Sequence, residues 1–323
     1  MSIWGHELLP TLDDSAVPMW RQCLRGLSCC AFQTNELTGV IFVAAVLVYS
    51  WHMAVLFVLA VVVGTVTAVV LSSTTLFGTA TVTGYRDAGI LGFNAALMGL
   101  ALGNFFVLDV ALWITVVVMA AFVAAVTVVS ARWLPFPFLA APFIAGFWLL
   151  WPVTTTIGLH EVALSAWPVQ STSYLPATIA SMGSTLFAPV GWAGALFLLG
   201  VLVSNWRHAV VAAGGGLIAV ALAIHVHVVG GAIKSGYVGF NAVLAALVVY
   251  IVVAPDLRLA ALGAFIATWI FSYMNRSFPA PALASGFVLG VWTVMALSWL
   301  NVRFVTARAT GGPSSTEEPT TPG

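Results

Sequence analysis

The chain has very few charged side chains, since Asp, Glu, Lys and Arg together make up only 6% of its 323 residues. Soluble domains carry about 25% charged residues, so this composition excludes an ordinary soluble protein. The formal net charge is zero, which excludes the basic surface that nucleic-acid binding needs. With 61% hydrophobic residues, the chain is instead predicted to be an integral protein of the lipid bilayer.

Cysteine is also scarce, and the sequence lacks the common motifs of catalysis. The three cysteines, Cys23, Cys29 and Cys30, have neither a zinc-binding spacing nor that of a disulfide framework. His225 and His227 do not share a helix face, and no third metal ligand is evident near them. There is no His-Glu-x-x-His, Gly-x-Ser-x-Gly or phosphate-loop motif. We therefore predict no enzyme activity, no cofactor and no metal site.

The apolar sequence divides into six segments in each half of the chain. Those of the first half lie near Val17–Phe32, Leu37–Tyr49, Met53–Leu71, Ile90–Leu102, Phe105–Val129 and Phe136–Trp151. Those of the second half lie near Leu175–Phe187, Trp192–Val203, Ala209–Val229, Tyr237–Val253, Leu257–Phe271 and Ala282–Leu300. A spanning helix needs about 20 apolar residues, so several of these segments are too short to cross a bilayer alone.

One phrase occurs twice among these segments, with the pattern Gly-x-x-Gly-Phe-Asn-x-x-Leu at residues 89–97 and again at 236–244. Flanking residues match at one constant offset, namely Phe32, Gly39 and Trp51 with Phe187, Gly194 and Trp206. Further matches at another constant offset are Pro135, Pro137, Phe143, Gly146 and Trp148 with Pro279, Pro281, Phe287, Gly290 and Trp292. A membrane protein built from two matching halves usually holds a permeation path between them.

The duplicated phrase predicts a half-helix in each half, because it opens with glycines and carries an Asn that is unfavourable against lipid. If one of the six segments per half does not cross, five do, and an odd number inserts the second half upside down. We therefore predict an all-α polytopic membrane protein, an inverted repeat of two homologous halves, each with five transmembrane helices and one tilted half-membrane pore helix. The predicted regions are an N-terminal polar segment 1–16, a first membrane repeat 17–151, an inter-repeat loop 152–174, a second membrane repeat 175–302 and a disordered cytoplasmic tail 303–323.

Basic residues lie near both ends of the predicted membrane region. Arg21 and Arg25 flank the first apolar segment, and Arg303 and Arg308 follow the last one. Positive residues favour the cytoplasmic side of a membrane. We therefore expect a multi-pass protein of the cell membrane with both termini in the cytoplasm.

Charged residues inside a membrane mark ion and proton pathways, but here the charges fall at the edges of segments. Glu36 stays a candidate for a coupled function, because it closely follows Phe32. The other edge charges are interpreted as interfacial or loop groups, and they are Arg86, Asp87, Asp109, Arg132, Lys234 and Asp256. This distribution favours the passive flow of a neutral solute.

The duplicated phrase has two interpretations, and the first is packing alone. Gly92 and Gly239 would allow close approach between helices. Asn94 and Asn241 would each cap a helix or bond a neighbouring one. On this interpretation the phrase stabilises the fold and contacts no solute.

The second interpretation is an apolar slot in each half. In both copies the Phe and the Leu are four residues apart and therefore share one helix face, and unpaired backbone groups at the helix end add polar partners. One further Phe per half supplies the opposite wall. The predicted slot residues are Phe32, Phe93 and Leu97 in the first half and Phe187, Phe240 and Leu244 in the second. A flat, neutral, strongly hydrogen-bonding molecule would fit such a slot.

These motifs resemble those of the urea transporter family, whose members carry two copies of Gly-x-x-Gly-Tyr/Phe-Asn-x-x-Leu. In the family each copy follows an Arg-Gly-x-x-Gln-x-x-Phe-like segment and precedes Leu-Pro-x-x-Thr-x-Pro-Phe, and the resemblance runs from about Arg21 to Leu300. It implies a homotrimer in which each protomer has its own pore on an inverted-repeat axis. Urea would pass in file between facing phenylalanines, with its amides bonded to a row of oxygens at the half-helix ends.

The chain departs from the family pattern at the pore constriction that the resemblance implies. The family's Gln falls on Cys29 in the first half and on Ser184 in the second, while its pore Thr falls on Ala140 and Ala284. The second copy also has Gly286 in place of the family's second Pro. The resemblance therefore implies a divergent bacterial-type member that passes urea less selectively, or passes a related small neutral solute.

The leading hypothesis is a channel-like facilitator of the passive permeation of urea or a close analogue, through a selectivity filter at the repeat interface. One alternative is an ion- or proton-coupled secondary transporter of a small amide or amine, in which Glu36 would be functional. Another is a channel for ammonia or short amides with altered selectivity. The last is a membrane scaffold that keeps the fold without transporting.

Overall fold

The computed structural model describes residues 17–162, 174–226 and 237–310, with side chains up to residue 300. Within these ranges the chain is helical, and its helices are α1 Met19–Ser28, α2 Glu36–Tyr49, α3 Trp51–Ser72, α4 Ala80–Asp87, α5 Ile90–Phe105, α6 Val110–Trp133, α7 Ala141–Leu150, α8 Tyr174–Ser184, α9 Gly191–Ser204, α10 Trp206–His225, α11 Phe240–Val248, α12 Leu257–Ser277 and α13 Ser285–Thr310. Short 3₁₀ turns follow α1 and α7, and a π-helical turn, Val249–Val253, follows α11. The predicted segment 1–16, His227, Lys234, Gly236 and most of the predicted tail lie outside the described residues.

Four of the described helices, α3, α6, α10 and α12, are long and apolar enough to cross a membrane alone. Two bent pairs add up to two further spans, since α1 meets α2 at 67° and α4 meets α5 at 51°. Shorter apolar helices are α7, α9, α11 and the part of α13 up to Leu300. The predicted all-α, multi-pass membrane fold is confirmed, while ten spans and the predicted region boundaries stay predictions.

Polar residues begin several helices at the segment edges. The Asp109 carboxylate accepts the Leu112 backbone N–H of α6 at 2.7 Å, and the Asp256 carboxylate accepts the Arg258 N–H of α12 at 2.6 Å. Such caps satisfy N–H groups that have no partner inside the helix. Two charges that the sequence places at segment edges are therefore helix caps.

Matching positions of the two halves make matching contacts. A Cβ at Gly39 would lie 3.0 Å from the carbonyl carbon of Leu24, and a Cβ at Gly194 would lie 2.7 Å from that of Ile179. Helix α2 therefore packs directly on the backbone of α1, and α9 packs in the same way on α8. Both crossings need a glycine, because any side chain would push the two backbones apart.

The halves meet where α2 packs against α9. Phe42 and Phe197, which stand at matching positions, stack with ring centroids 5.0 Å apart and planes 5° apart. Beside them the Thr38 hydroxyl donates to the Gly200 carbonyl oxygen at 2.7 Å. Residues of both halves belong to one cluster of buried hydrophobic side chains, so the two halves share one packed core.

Helix length does not single out the two motif helices as the half-membrane elements. Helix α5 has 16 residues, which span about 24 Å at 1.5 Å per residue. The other motif helix, α11, has 9 residues, while α1 and α8 have 10 and 11. By length, α1, α8 and α11 therefore all fit half a bilayer better than α5 does.

Candidate solute pathway

Two short helices end on a phenylalanine in the left-handed backbone region. Phe32 and Phe187 both have φ of 56°, and their N–H groups donate to the carbonyls of Cys29 and Ser184 at 2.9 and 3.1 Å. A positive φ is uncommon for a residue with a large side chain. Where such a conformation persists, surrounding packing must hold it, and it is often found at functional sites.

Two leucines repeat this unusual conformation at the start of α7 and α13. Leu139 has φ of 51° and Leu283 has φ of 49°. Among the described residues, the non-glycine residues with positive φ are these two leucines and the two phenylalanines. All four fall in pairs at matching positions of the two halves.

The Asn of each duplicated phrase holds one of these leucine turns. The Asn94 amide donates to the Leu139 carbonyl oxygen at 3.2 Å, and its own oxygen accepts the Phe143 N–H at 3.3 Å. Asn241 does the same with Leu283 and Phe287, at 3.1 and 2.7 Å. Both Asn residues are fully buried, so each satisfies a carbonyl and an N–H that have no solvent partner.

The glycines of the phrase lie where helices approach closely. Gly89 has φ of 80°, and a Cβ there would lie 2.6 Å from Arg25. A Cβ at Gly92 would lie 2.8 Å from the Thr65 hydroxyl oxygen, and one at Gly239 would lie 2.6 Å from Ser181. These contacts support the packing interpretation for the Gly and Asn positions of the phrase.

The phenylalanines of the predicted slots differ from these Gly and Asn residues, because those of each half line a cavity. The first cavity measures about 40 Å³ and is lined by Cys29, Phe32, Tyr85, Ile90, Phe93, Pro137, Phe138 and Leu139. The second measures about 320 Å³ and is lined by Asn104, Phe105, Ser184, Phe187, Pro189, Tyr237, Phe240, Asn275, Pro281 and Leu283. Six lining positions match between the two: Cys29 with Ser184, Phe32 with Phe187, Ile90 with Tyr237, Phe93 with Phe240, Pro137 with Pro281 and Leu139 with Leu283.

The structure brings the predicted slot residues together only in part. Phe32 packs edge-on against Phe93 with centroids 5.7 Å apart, and against Phe287 at 5.5 Å. Leu97 and Leu244 are buried but line neither cavity. The contact between Phe32 and Phe287 was missed by the sequence analysis, although the motif that contains Phe287 was recognised.

Asparagines in the second cavity were also missed. Asn104 ends α5 and Asn275 lies near the end of α12, where its side-chain oxygen accepts the Tyr237 hydroxyl at 3.4 Å. The signal was present, because Asn within an apolar helix is costly against lipid and marks a polar interior.

The side chains at the family's Gln position donate to backbone carbonyls. The Cys29 thiol donates to the Ala88 carbonyl at 3.4 Å, and the Ser184 hydroxyl donates to the Ala180 carbonyl at 2.9 Å. Each side chain thus directs its hydrogen at a carbonyl, and each residue lines a cavity.

The family's pore Thr positions, Ala140 and Ala284, are buried at 1% and 5% exposure and line neither cavity. They end two four-residue segments, 137–140 and 281–284, which we call the neck segments. In the first, the carbonyls of Leu139 and Ala140 accept bonds from Asn94 and from the Ile144 N–H at 3.1 Å.

The other two carbonyls of the first neck segment are also bonded. That of Phe138 accepts the Ala141 N–H at 3.1 Å. That of Pro137 accepts the indole N–H of Trp292 at 2.9 Å. Since a carbonyl oxygen has two lone pairs, all four oxygens are oriented by the protein and each keeps the capacity for a second donor.

The second neck segment repeats this pattern. The carbonyl of Ala282 accepts the Ser285 N–H, and that of Ala284 accepts the Val288 N–H, both at 3.1 Å. Asn241 bonds the Leu283 carbonyl at 3.1 Å. The indole N–H of Trp148 bonds the Pro281 carbonyl at 2.9 Å.

One departure from the family motif has a packing explanation. At Gly286, where the family has Pro, a Cβ would lie 2.6 Å from the Ala267 carbonyl oxygen and 2.9 Å from the Phe271 backbone nitrogen. Helix α13 therefore packs too closely against α12 for a proline ring at this position.

Glu36 lies at a segment edge but is buried and paired, rather than interfacial. Its carboxylate bonds Arg21 Nε at 2.6 Å and Arg25 Nε at 2.9 Å. Arg25 also donates to the Asp87 carbonyl oxygen at 2.9 Å, and the Asp87 carboxylate pairs with Arg86 at 2.9 Å. Glu36 is thus held by two guanidinium groups, and breaking a buried ion pair is costly because it leaves charge in the interior without its partner.

Comparison with known proteins agrees with this arrangement. The urea transporter family model matches residues 20–299, which include all four helices that are long enough to span a membrane alone. No curated protein matches the chain by sequence. A family match over this length covers both cavities and both neck segments, and the chain therefore belongs to the urea transporter family.

Proposed function

We propose that the chain is a channel-like facilitator for the passive permeation of urea or a close small, neutral analogue. The proposed path joins the first cavity to the second past the two neck segments. The observation that carries this proposal is the pairing of the two cavities, because six lining positions of the first match six lining positions of the second.

The phenylalanines suit the faces of the solute. Urea is planar, so its faces can lie against Phe32 and Phe93 at one end and against Phe187 and Phe240 at the other. The rings exclude bulky and charged molecules, because an ion would lose its hydration without gaining a charged partner. A neutral planar molecule loses less hydration free energy than an ion when it enters such a slot.

The neck carbonyls suit the edges of the solute. Urea has four N–H hydrogens, and a buried donor without a partner costs about 1–3 kcal/mol. The carbonyls of residues 137–140 and 281–284 are already oriented by the protein, so they need little reorganisation to accept these donors. Passage past them is therefore favoured without tight binding.

The absence of charge from both cavities supports passive flow over ion coupling. None of the residues that line either cavity is Asp, Glu, Lys, Arg or His. Glu36, the candidate for a coupled mechanism, is held by two arginines. An acid in such a pair is a poor proton carrier, since its pairing must break in each cycle.

The replacement of Thr by Ala at 140 and 284 supports relaxed selectivity. Each change removes a hydroxyl that could bond the solute, and each widens the neck. We therefore infer that short amides such as acetamide compete with urea more effectively here than in a relative that keeps both threonines.

We further propose an inverted repeat whose two-fold axis passes between Phe42 and Phe197, because residues at matching positions contact each other directly there. The half-membrane elements are then α1 and α8. The buried arginines around Glu36 favour a cytoplasmic location for the start of α1, and a homotrimer in the cell membrane follows the family expectation.

Initial rates of urea uptake in proteoliposomes test passive flow against coupling. We expect a rate that rises linearly with urea concentration and is the same with sodium or choline buffer and between pH 6 and 8. A rate that saturates, or that requires sodium or a proton gradient, would favour the coupled transporter. The variant Glu36→Gln serves as a second check, since a coupled mechanism through Glu36 predicts that it loses gradient-driven uptake.

A further inference from the structure

Two tryptophans cross between the halves of the molecule. Trp148 of α7 donates its indole N–H to the Pro281 carbonyl oxygen, and Trp292 of α13 donates its own to the Pro137 carbonyl oxygen. Both N···O distances are 2.9 Å. The two tryptophans stand at matching positions, as do the two prolines, so the bonds form a reciprocal pair.

Both acceptors begin a neck segment. Pro137 stands three residues before Ala140, and Pro281 three residues before Ala284. Pro137 lines the first cavity and Pro281 the second. Neither tryptophan lines either of these two cavities, so neither would touch a solute there.

These bonds differ from those to the other neck carbonyls. The carbonyls of residues 138–140 and 282–284 accept donors from their own half. Only the proline carbonyl of each described neck segment accepts its bond from the opposite half. The position of one half therefore directly orients the neck of the other.

The tryptophan rings are themselves held in place. Trp292 packs edge-on against Phe136 with centroids 5.5 Å apart, and Trp148 packs against Phe278 at 4.4 Å. A donor on a fixed ring constrains its acceptor more strongly than a donor on a flexible chain, because it loses little rotamer freedom.

We propose that Trp148 and Trp292 are positioning residues of the pathway, each of which fixes the neck segment of the opposite half. Through this bond each tryptophan sets the width of the neck and the orientation of its first carbonyl oxygen. The consequence for solute selectivity rests on the proposed function, while the crossed positioning does not.

The flux test uses Trp148→Phe and Trp292→Phe, which keep an aromatic ring and remove the N–H donor. We expect the urea-to-acetamide permeability ratio to fall about fivefold in each variant, as the loss of one neutral hydrogen bond predicts. The matched control is Trp133→Phe, on a ring that packs against Phe77 and is largely exposed. Unchanged ratios in both test variants would overturn the link to selectivity.

A thiol-accessibility experiment tests the crossed arrangement itself. In a background with Cys23→Ala, Cys29→Ala and Cys30→Ala, a single thiol is introduced by Ala284→Cys or by Ala140→Cys. The probe is iodoacetamide, a small neutral amide whose carbon forms a thioether with the sulfur. Iodide leaves, and the thiol proton passes to the buffer.

The expected pattern is crossed between the halves. Trp148→Phe should speed alkylation of the thiol introduced by Ala284→Cys several-fold and leave that introduced by Ala140→Cys unchanged, and Trp292→Phe should do the reverse. Equal effects at both thiols, or none, would overturn the proposal, because a general loss of packing affects both sites alike. If the wild-type protein passes no urea but the crossed pattern holds, the proposed function fails and the positioning stands.

Discussion

At the scale of single residues, Ala140 and Ala284 leave the proposed neck with backbone oxygens as its polar groups. Those oxygens are already oriented by Asn94, Asn241 and local N–H groups. The Asn residues therefore satisfy buried backbone groups, and on the proposed function they also orient carbonyls toward the solute path. The Ala residues contribute space rather than hydrogen bonds.

The first prediction restores the missing hydroxyls. The double variant Ala140→Thr with Ala284→Thr should raise the urea-to-acetamide permeability ratio by roughly two- to tenfold, because each neutral hydrogen bond contributes about 0.5–1.5 kcal/mol. Stopped-flow light scattering on proteoliposomes measures the ratio. Ala125→Thr, a half-buried position on α6, is the control, and an equal change there would contradict the placement of the neck.

The second prediction concerns the hydrogen bonds by which Asn94 and Asn241 hold the two leucine turns. Asn94→Leu leaves the Leu139 carbonyl and the Phe143 N–H unpaired in a buried site, which costs roughly 2 kcal/mol or more. We expect a lower thermal unfolding midpoint in detergent and the same direction for Asn241→Leu. The control is Asn205→Ala, which removes an exposed helix cap worth about 1 kcal/mol. If this variant lowers the unfolding midpoint as much as Asn94→Leu or more, the stabilising role of the two buried Asn residues is contradicted.

At the scale of the elements, short helices and close crossings position the path. Helices α1 and α8 end on left-handed phenylalanines, and the turns before α7 and α13 are left-handed at Leu139 and Leu283. Each turn is held by contacts from another helix. The cavity walls are therefore products of packing between elements rather than of local sequence.

The third prediction tests one such crossing. Gly286→Ala should destabilise the protein, because the new methyl group would lie 2.6 Å from the Ala267 carbonyl oxygen on α12. Gly214→Ala on α10 has open space around its Cβ and should be neutral or slightly stabilising, since Ala favours a helix. The two unfolding midpoints give the comparison, and equal midpoints would contradict the close packing of α12 and α13.

Much of this element pattern could be predicted from the sequence. The apolar runs predicted the long helices, and the duplicated phrase predicted the matching Phe and Asn positions. Helix α4 fell outside every predicted segment, because Ala80–Asp87 is polar and short. The choice of half-helix was guided by glycines and an Asn, whereas the motif helix α5 has 16 residues and α1 and α8 have only 10 and 11.

The remaining parts of the site depend on residues that are distant in the sequence. The bond from Trp148 reaches Pro281 across 133 residues, and Phe32 meets Phe287 from the other half. A single sequence shows that such residues are present but does not show which of them touch. The pairing of Glu36 with Arg21 and Arg25 was not foreseen either, although they are only 15 and 11 residues apart, because it depends on the bend between α1 and α2.

At the scale of the whole molecule, the two ends of the proposed path are unequal. The first cavity measures about 40 Å³ and the second about 320 Å³. The larger cavity also has Asn104 and Asn275 in its lining, while the smaller one is walled mostly by rings. The proposed path, although lined by matching residues, is thus narrow at one end and wide at the other.

The fourth prediction follows from this asymmetry. A substituted urea that is too large for the first cavity but fits the second, such as phenylurea, should inhibit urea flux from one side of the membrane only. Vesicles with the protein in a single orientation, given the compound inside or outside, measure this. Equal inhibition from both sides would contradict the unequal cavities.

The central claim is that urea passes between the two phenylalanine-lined cavities. Stopped-flow light scattering on proteoliposomes under an inward urea gradient tests it most directly, with the wild-type protein beside Phe93→Trp and Phe240→Trp. Since each substitution enlarges a ring in one cavity, the account predicts fast, non-saturating uptake by the wild type that is lost in both variants. Absent uptake by the wild type, or full uptake by both variants at equal protein incorporation, would contradict it.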